Sequence, residues 1–212
     1  MSEKNGFSKE YWDKNYSDVG VMDGIFNASS HAHYVKSYFD VEEIELKSII
    51  DFGFGLGYLF REFLKVLKPK IALGLEPSPY AFLKGKKLLK NYKVKLRDED
   101  ILAWTQINEK KIYDLGICTS IFQYLESDEI NQVLPYISQK VKFLYFSVPT
   151  DLEQDRLKKE LDFVDLYALR RSREEYLDLI KPHFTFVSSR ILESKIHFKP
   201  DNTRLTDLLF RF

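Results

Sequence analysis

The chain has 212 residues, 44% of them hydrophobic and 15% aromatic, which supplies a buried core of ordinary size and excludes intrinsic disorder over most of its length. Thirty-two basic residues balance 32 acidic ones, so no net field draws in a polyanion, and nucleic acid is disfavoured as a partner. The single Cys118 cannot form an intramolecular disulfide, the N-terminus has no basic head followed by an apolar stretch, and no apolar run approaches the roughly 20 residues of a membrane span. A cytoplasmic protein without a membrane segment is expected.

Residues 1–45 contain two short amphipathic patterns, EYWDKNY and HAHYVKSYFD, around the loop GVMDGIFNASS, and are taken as a helical lid. From residue 46 to 212 short apolar runs alternate with helical patterns, as in a parallel sheet covered by helices. LKSIID, KIALGLE, YKVKLR, YDLGIC and VKFLYFSV read as strands, and YLFREFLKVL as a helix whose apolar stripe covers the sheet. Ser78 and Pro79 suit the N-cap and first position of a helix directly behind Glu76. Another helix opens at Ser127, with Pro135 expected to kink or shorten it, and a capping box, Ser172 with Glu175, opens a third. LEQDRLKKELDFVDLYALRR reads either as a connecting helix or as a substrate-gating insertion. The last stretch, HFTFVSSRILESKIHF followed by KPDNTRLTDLLFRF, is predicted to be an antiparallel hairpin turning at Pro-Asp-Asn. The lysines of KGKKLLKNYKVK read as a solvated helix face.

IIDFGFGLGYLF carries the chemistry. Asp51 ends a buried strand, Gly53, Gly55 and Gly57 alternate through the turn, and a helix follows at once, an arrangement that brings a polar ligand close to backbone amides. The lysine of a phosphate-binding G-x-x-x-x-G-K-[ST] loop is missing. A dinucleotide would also use an acid about 20 residues on, where Glu76 stands, but the third glycine comes one position early for G-x-G-x-x-G.

The segment resembles the first motif of the class I S-adenosylmethionine-dependent methyltransferases, and the likeness runs in order over residues 46–212. It implies a Rossmann-like α/β fold with a seven-stranded, mostly parallel sheet, helices on both faces and a C-terminal antiparallel hairpin. It further implies that Asp51, Gly53, Gly55 and Gly57 hold S-adenosylmethionine, that Glu76, in LGLEPS with Pro77, pairs with the ribose hydroxyls, that Asp100 and Ile101 meet the adenine, and that Thr119 and Ser120 lie beside the methyl donor. The N-terminal EYWDKNY is similar to a helix that closes over the cofactor through Tyr11, Trp12 or Tyr16. The ligand suits these residues on its own terms: it has no phosphate, and its ammonium, sulfonium, diol and adenine amine call for acceptors.

Phe54 and Leu56 depart from the family's small residues and are expected to narrow the cofactor slot; Gln123 stands where a histidine is frequent. The expected reaction is in-line methyl transfer, with S-adenosylhomocysteine as product, to a small-molecule acceptor first, a protein side chain next and RNA third. If a general base is used, His31, His33 and His197 are the candidates, with His197 placed by the hairpin turn; no metal site is expected. Phe26, Tyr34, Phe122 and Tyr124 are candidates for an apolar acceptor pocket. Two other readings stay open: a catalytically silent cofactor-binding scaffold, and a nicotinamide-dependent oxidoreductase.

Overall fold

A computed structural model describes residues 7–16 and 24–199. It divides into two compact units, Met1–Asp100 and Ile101–Phe212. The architecture is α/β, with seven strands, mostly parallel, and an antiparallel C-terminal hairpin.

In the first unit, helix α1 (Lys9–Asn15) is capped by Ser8, and α2 (Ala28–Val41) buries Ala32, Val35 and Phe39 along one stripe that packs against the later helix α3. Strand β1 (Ser48–Asp51) is buried along its whole length, as a central parallel strand must be. The glycine turn leads into α3 (Tyr58–Leu67), which buries Phe60, Phe63 and Leu64. Strand β2 (Ile71–Leu75) pairs in parallel with β1, Asp51 facing Gly74. Helix α4 (Pro79–Leu88) starts where the sequence predicts, with Ser78 as N-cap and Pro79 in its first turn. Strand β3 (Lys95–Arg97) pairs in parallel with β2. Asp51, Glu76 and Asp98 through Asp100 therefore follow the C-terminal ends of three adjacent strands, the edge where open α/β sheets bind ligands.

The second unit begins with a short helix, α5 (Ile101–Thr105), which the sequence reading did not single out. Strand β4 (Tyr113–Thr119) is followed by a 3-10 turn at Phe122–Tyr124 and by α6 (Ser127–Lys140). Pro135 neither ends nor shortens α6. The carbonyl its missing N–H leaves unpaired, four residues back, belongs to exposed Asn131, where water can satisfy it. Strand β5 (Val141–Ser147) pairs in parallel with β4. Next come α7 (Asp151–Leu161), which buries none of its residues, and α8 (Arg173–Ile180), opened by the Ser172–Glu175 capping box.

The expected antiparallel hairpin forms within the first of the two predicted runs. Its strands are β6 (Phe184–Phe186) and β7 (Ile191–Ser194), turning through 187–190, with β7 antiparallel to β5. HFTFVSSRILESKIHF is thus two short strands rather than one, and Val187-Ser-Ser-Arg190 supplies the polar turn. The predicted second strand, from Pro200 on, lies outside the described residues, as does much of the N-terminal glycine loop.

Candidate functional site

Two buried carboxylates hold the glycine turn. Glu76 is 5% exposed; its Oε2 accepts the Gly55 N–H and its Oε1 the Ser78 N–H, both over 2.8 Å. Asp51 is 2% exposed, and its Oδ1 accepts the Gly53 N–H over 3.1 Å. Burial pushes the Asp51 carboxyl up to about 8, the nearby Glu76 adding to the rise and the Gly53 N–H opposing it. Burial likewise raises Glu76 to about 7, against the amides of Ser78 and Gly55, with Asp98 contributing to the rise. Both carboxyl groups retain acceptor capacity beyond these backbone bonds. The arrangement therefore suits a ligand that brings hydroxyl donors or positive charge, which would restore the charged form of acids that desolvation disfavours.

The glycines earn their places for different reasons. Gly55 and Gly57 have φ of 54° and 88°, the left-handed region in which a side chain is strained. Gly57 also lies against α4: a Cβ there would stand 3.2 Å from the Gly85 Cα. Phe54 does not narrow the slot. Its ring is 5% exposed and turned into the core beside Phe60 and Phe82, in space left by Gly74 and Gly85. Leu56 is half-buried.

Helix α1 lies on this loop. A Cβ at Gly55 would meet the Trp12 indole at 3.3 Å, and the indole N–H donates to Ser78 Oγ over 2.9 Å. Tyr11 is buried and Tyr16 half-buried, and both pack against Trp12. The other sequence candidates are more scattered. Pro77 is exposed, Asp100 is half-buried just ahead of α5, Asp98 is exposed, and Ile101 is buried. In the second unit Thr119 is half-buried at the end of β4, and Ser120 is exposed with a φ of 55°, strained backbone of the kind that collects at functional sites.

His31 is 9% exposed on the packed stripe of α2, and His33 is exposed with Nδ1 2.8 Å from the Ser29 carbonyl oxygen. His197 is not at the hairpin turn. It follows β7, which runs antiparallel to β5, so it lies by the start of β5, with Nε2 2.8 Å from the Gln139 carbonyl oxygen at the end of α6. That is the edge opposite the strands' C-terminal ends. Phe122 is core, and Phe26 is 61% exposed. Among the described residues no cluster of His, Cys, Asp and Glu is fit to hold a metal ion.

A comparison of this fold with solved structures returns methyltransferases. A crystal structure of an S-adenosylmethionine-dependent methyltransferase from Clostridium acetobutylicum ATCC 824 aligns over 87% of this chain and 96% of its own, with a TM-score of 0.66 at 12% identity. The chain has the S-adenosylmethionine-dependent methyltransferase fold. The plantazolicin methyltransferase BpumL, solved with S-adenosylhomocysteine, shares it over 84% of this chain and 71% of its own (TM-score 0.65, 21% identity). The magnesium protoporphyrin IX methyltransferase of Synechocystis PCC 6803, also with S-adenosylhomocysteine, does so over 90% and 94% (TM-score 0.56, 16% identity). No family model matches the chain, and neither does any curated protein sequence.

Proposed function

We propose that this chain binds S-adenosylmethionine and transfers its methyl group to a small-molecule nucleophile. The observation that carries the reading is the pair of buried acids, Asp51 and Glu76, held around the glycine turn at the ends of adjacent parallel strands. A cation with a vicinal diol suits that pair better than a phosphate does, since a phosphate would meet like charge and no lysine. In this reading Glu76 takes the ribose hydroxyls, Asp51 faces the methionyl end with Gly53, Gly55 and Gly57 beneath, and Asp100 takes the adenine amine. Trp12, with Tyr11 and Tyr16, covers the site, so the lid narrows from residues 1–45 to α1. For Pro77, Ile101, Thr119 and Ser120 the support is the sequence resemblance alone.

The acceptor's lone pair displaces the thioether in line: the new bond to the methyl carbon forms as the sulfonium–methyl bond breaks, and the acceptor's proton passes to solvent. Alignment and exclusion of water are the protein's contribution. A small-molecule acceptor fits the balanced charge and a fold neighbour named for magnesium protoporphyrin IX. No helix among the described residues is long and apolar enough to cross a membrane, and the lone buried Cys118 suits a reducing, cytoplasmic setting. The test is methyl-labelled S-adenosylmethionine incubated with the chain and a small-molecule extract. Label appearing in a small product supports the reading; binding without any transfer would favour the silent scaffold.

A further inference from the structure

In the sequence Ser78 reads only as a helix cap, yet the fold uses its hydroxyl to capacity. It donates to the Phe7 carbonyl over 2.9 Å, and accepts the Trp12 indole N–H over 2.9 Å and the Ala81 N–H over 3.4 Å. One proton and two lone pairs leave nothing spare. The residue is 3% exposed, and its own N–H goes to Glu76. Trp12 therefore reaches both residues whose amides hold the Glu76 carboxylate: it hydrogen-bonds Ser78, and its ring stands where a Cβ on Gly55 would point. The Tyr80 hydroxyl also donates to Asp13 of α1, at an exposed position where such a pair contributes little.

We infer that Ser78 is a positioning residue of the cofactor site: it latches α1 onto the glycine turn and couples that latch to the carboxylate of Glu76. The inference rests on the cofactor reading above. A molecule bound against the glycine turn lies beside the indole that stands over Gly55, and its exchange requires the Trp12–Ser78 bond to open. Opening leaves a buried hydroxyl short of a donor, so the closed form is favoured.

Two substitutions separate the latch from the cap. Trp12→Phe removes only the N–H, whereas Ser78→Ala removes the whole hydroxyl. Titrating S-adenosylhomocysteine into the full chain, we expect binding about fivefold weaker for Trp12→Phe and about tenfold weaker for Ser78→Ala. The double variant should bind no more weakly than Ser78→Ala alone, because both changes break the same bond. Ser78→Thr, which keeps the hydroxyl, should restore most of the affinity. Losses that multiply in the double variant would reduce Ser78 to a cap and overturn the inference. A second arm needs no ligand. Of the two tryptophans Trp104 is fully buried, so acrylamide quenching reports Trp12. Quenching should rise in Ser78→Ala, and an unchanged value would overturn the latch. If the unaltered chain fails to bind S-adenosylhomocysteine, the cofactor reading and the positioning role fall together, while the quenching arm still decides whether the latch exists.

Discussion

Phe54 occupies the space that Gly85 leaves empty: a Cβ at Gly85 would stand 2.5 Å from Phe54 Cε2 and 3.1 Å from the Gly55 carbonyl oxygen. The large residue of the glycine turn and the small residue of α4 are therefore one packing decision, made 31 positions apart in the chain. Gly85→Ala normally stabilises a helix by about 1 kcal/mol. Here overpacking reverses the sign, and urea denaturation should show a loss of roughly 1–3 kcal/mol. A gain would mean that the Phe54 ring does not fill this space.

That pairing shows why some features were legible in the sequence and others not. The order of elements from β1 to β5, the Ser78 cap, the Ser172 capping box and the buried stripe of α3 are local patterns, and the chain adopts them as written. Phe54 looked obstructive because the glycines that accommodate it, Gly74 and Gly85, come from β2 and α4. HFTFVSSRILESKIHF reads as one strand because a three-residue strand such as β6 carries too little alternation to separate from β7. Asp51 and Glu76 were readable as strand-end acids, but the Trp12–Ser78 bond, joining residues 66 apart, was not.

Asp51 and Glu76 make stability fall with rising pH. Their native values of about 8 and about 7 lie above the ordinary 3.8 and 4.5, so between those limits the folded chain holds more protons than the unfolded one. Stability from these groups is full below about pH 4 and is lost as pH rises toward 8, by up to about 1.4 kcal/mol per pH unit per group. Urea midpoints measured from pH 5 to 8 should decline, and Asp51→Asn should flatten the slope. A rising midpoint carried by these two residues would contradict the burial described here.

Arg171 holds the turn after β4. It is 6% exposed, its guanidinium donates to the carbonyls of Phe122 over 3.2 Å and Leu125 over 2.6 Å, and it lies 5.8 Å from the Tyr176 ring centroid. Arg171→Met should cost roughly 3 kcal/mol, by taking the guanidinium from the Leu125 carbonyl and leaving the Phe122 carbonyl with only the Leu125 N–H. Arg171→Lys should recover little of it, since an ammonium cannot span the two oxygens as the planar fork does. Chemical denaturation of both variants checks this; full recovery by lysine would show that charge rather than geometry matters.

Gln123 is 5% exposed, and among the described residues its Oε1 is a buried side-chain atom with no hydrogen-bond partner. Gln123→Met keeps the volume and removes the unpaired oxygen, so the melting temperature should stay level or rise, by the equivalent of about 1 kcal/mol. A fall of several degrees would point to a contact made by that amide.

The central claim is tested most directly by calorimetric titration of S-adenosylhomocysteine into the unaltered chain and into Glu76→Ala at pH 8, where the acid is ionised. Saturable one-to-one binding is expected, weakened roughly 100-fold by the substitution as two charge-assisted hydrogen bonds are lost. Equal affinity in the two proteins, or none in the first, would contradict it.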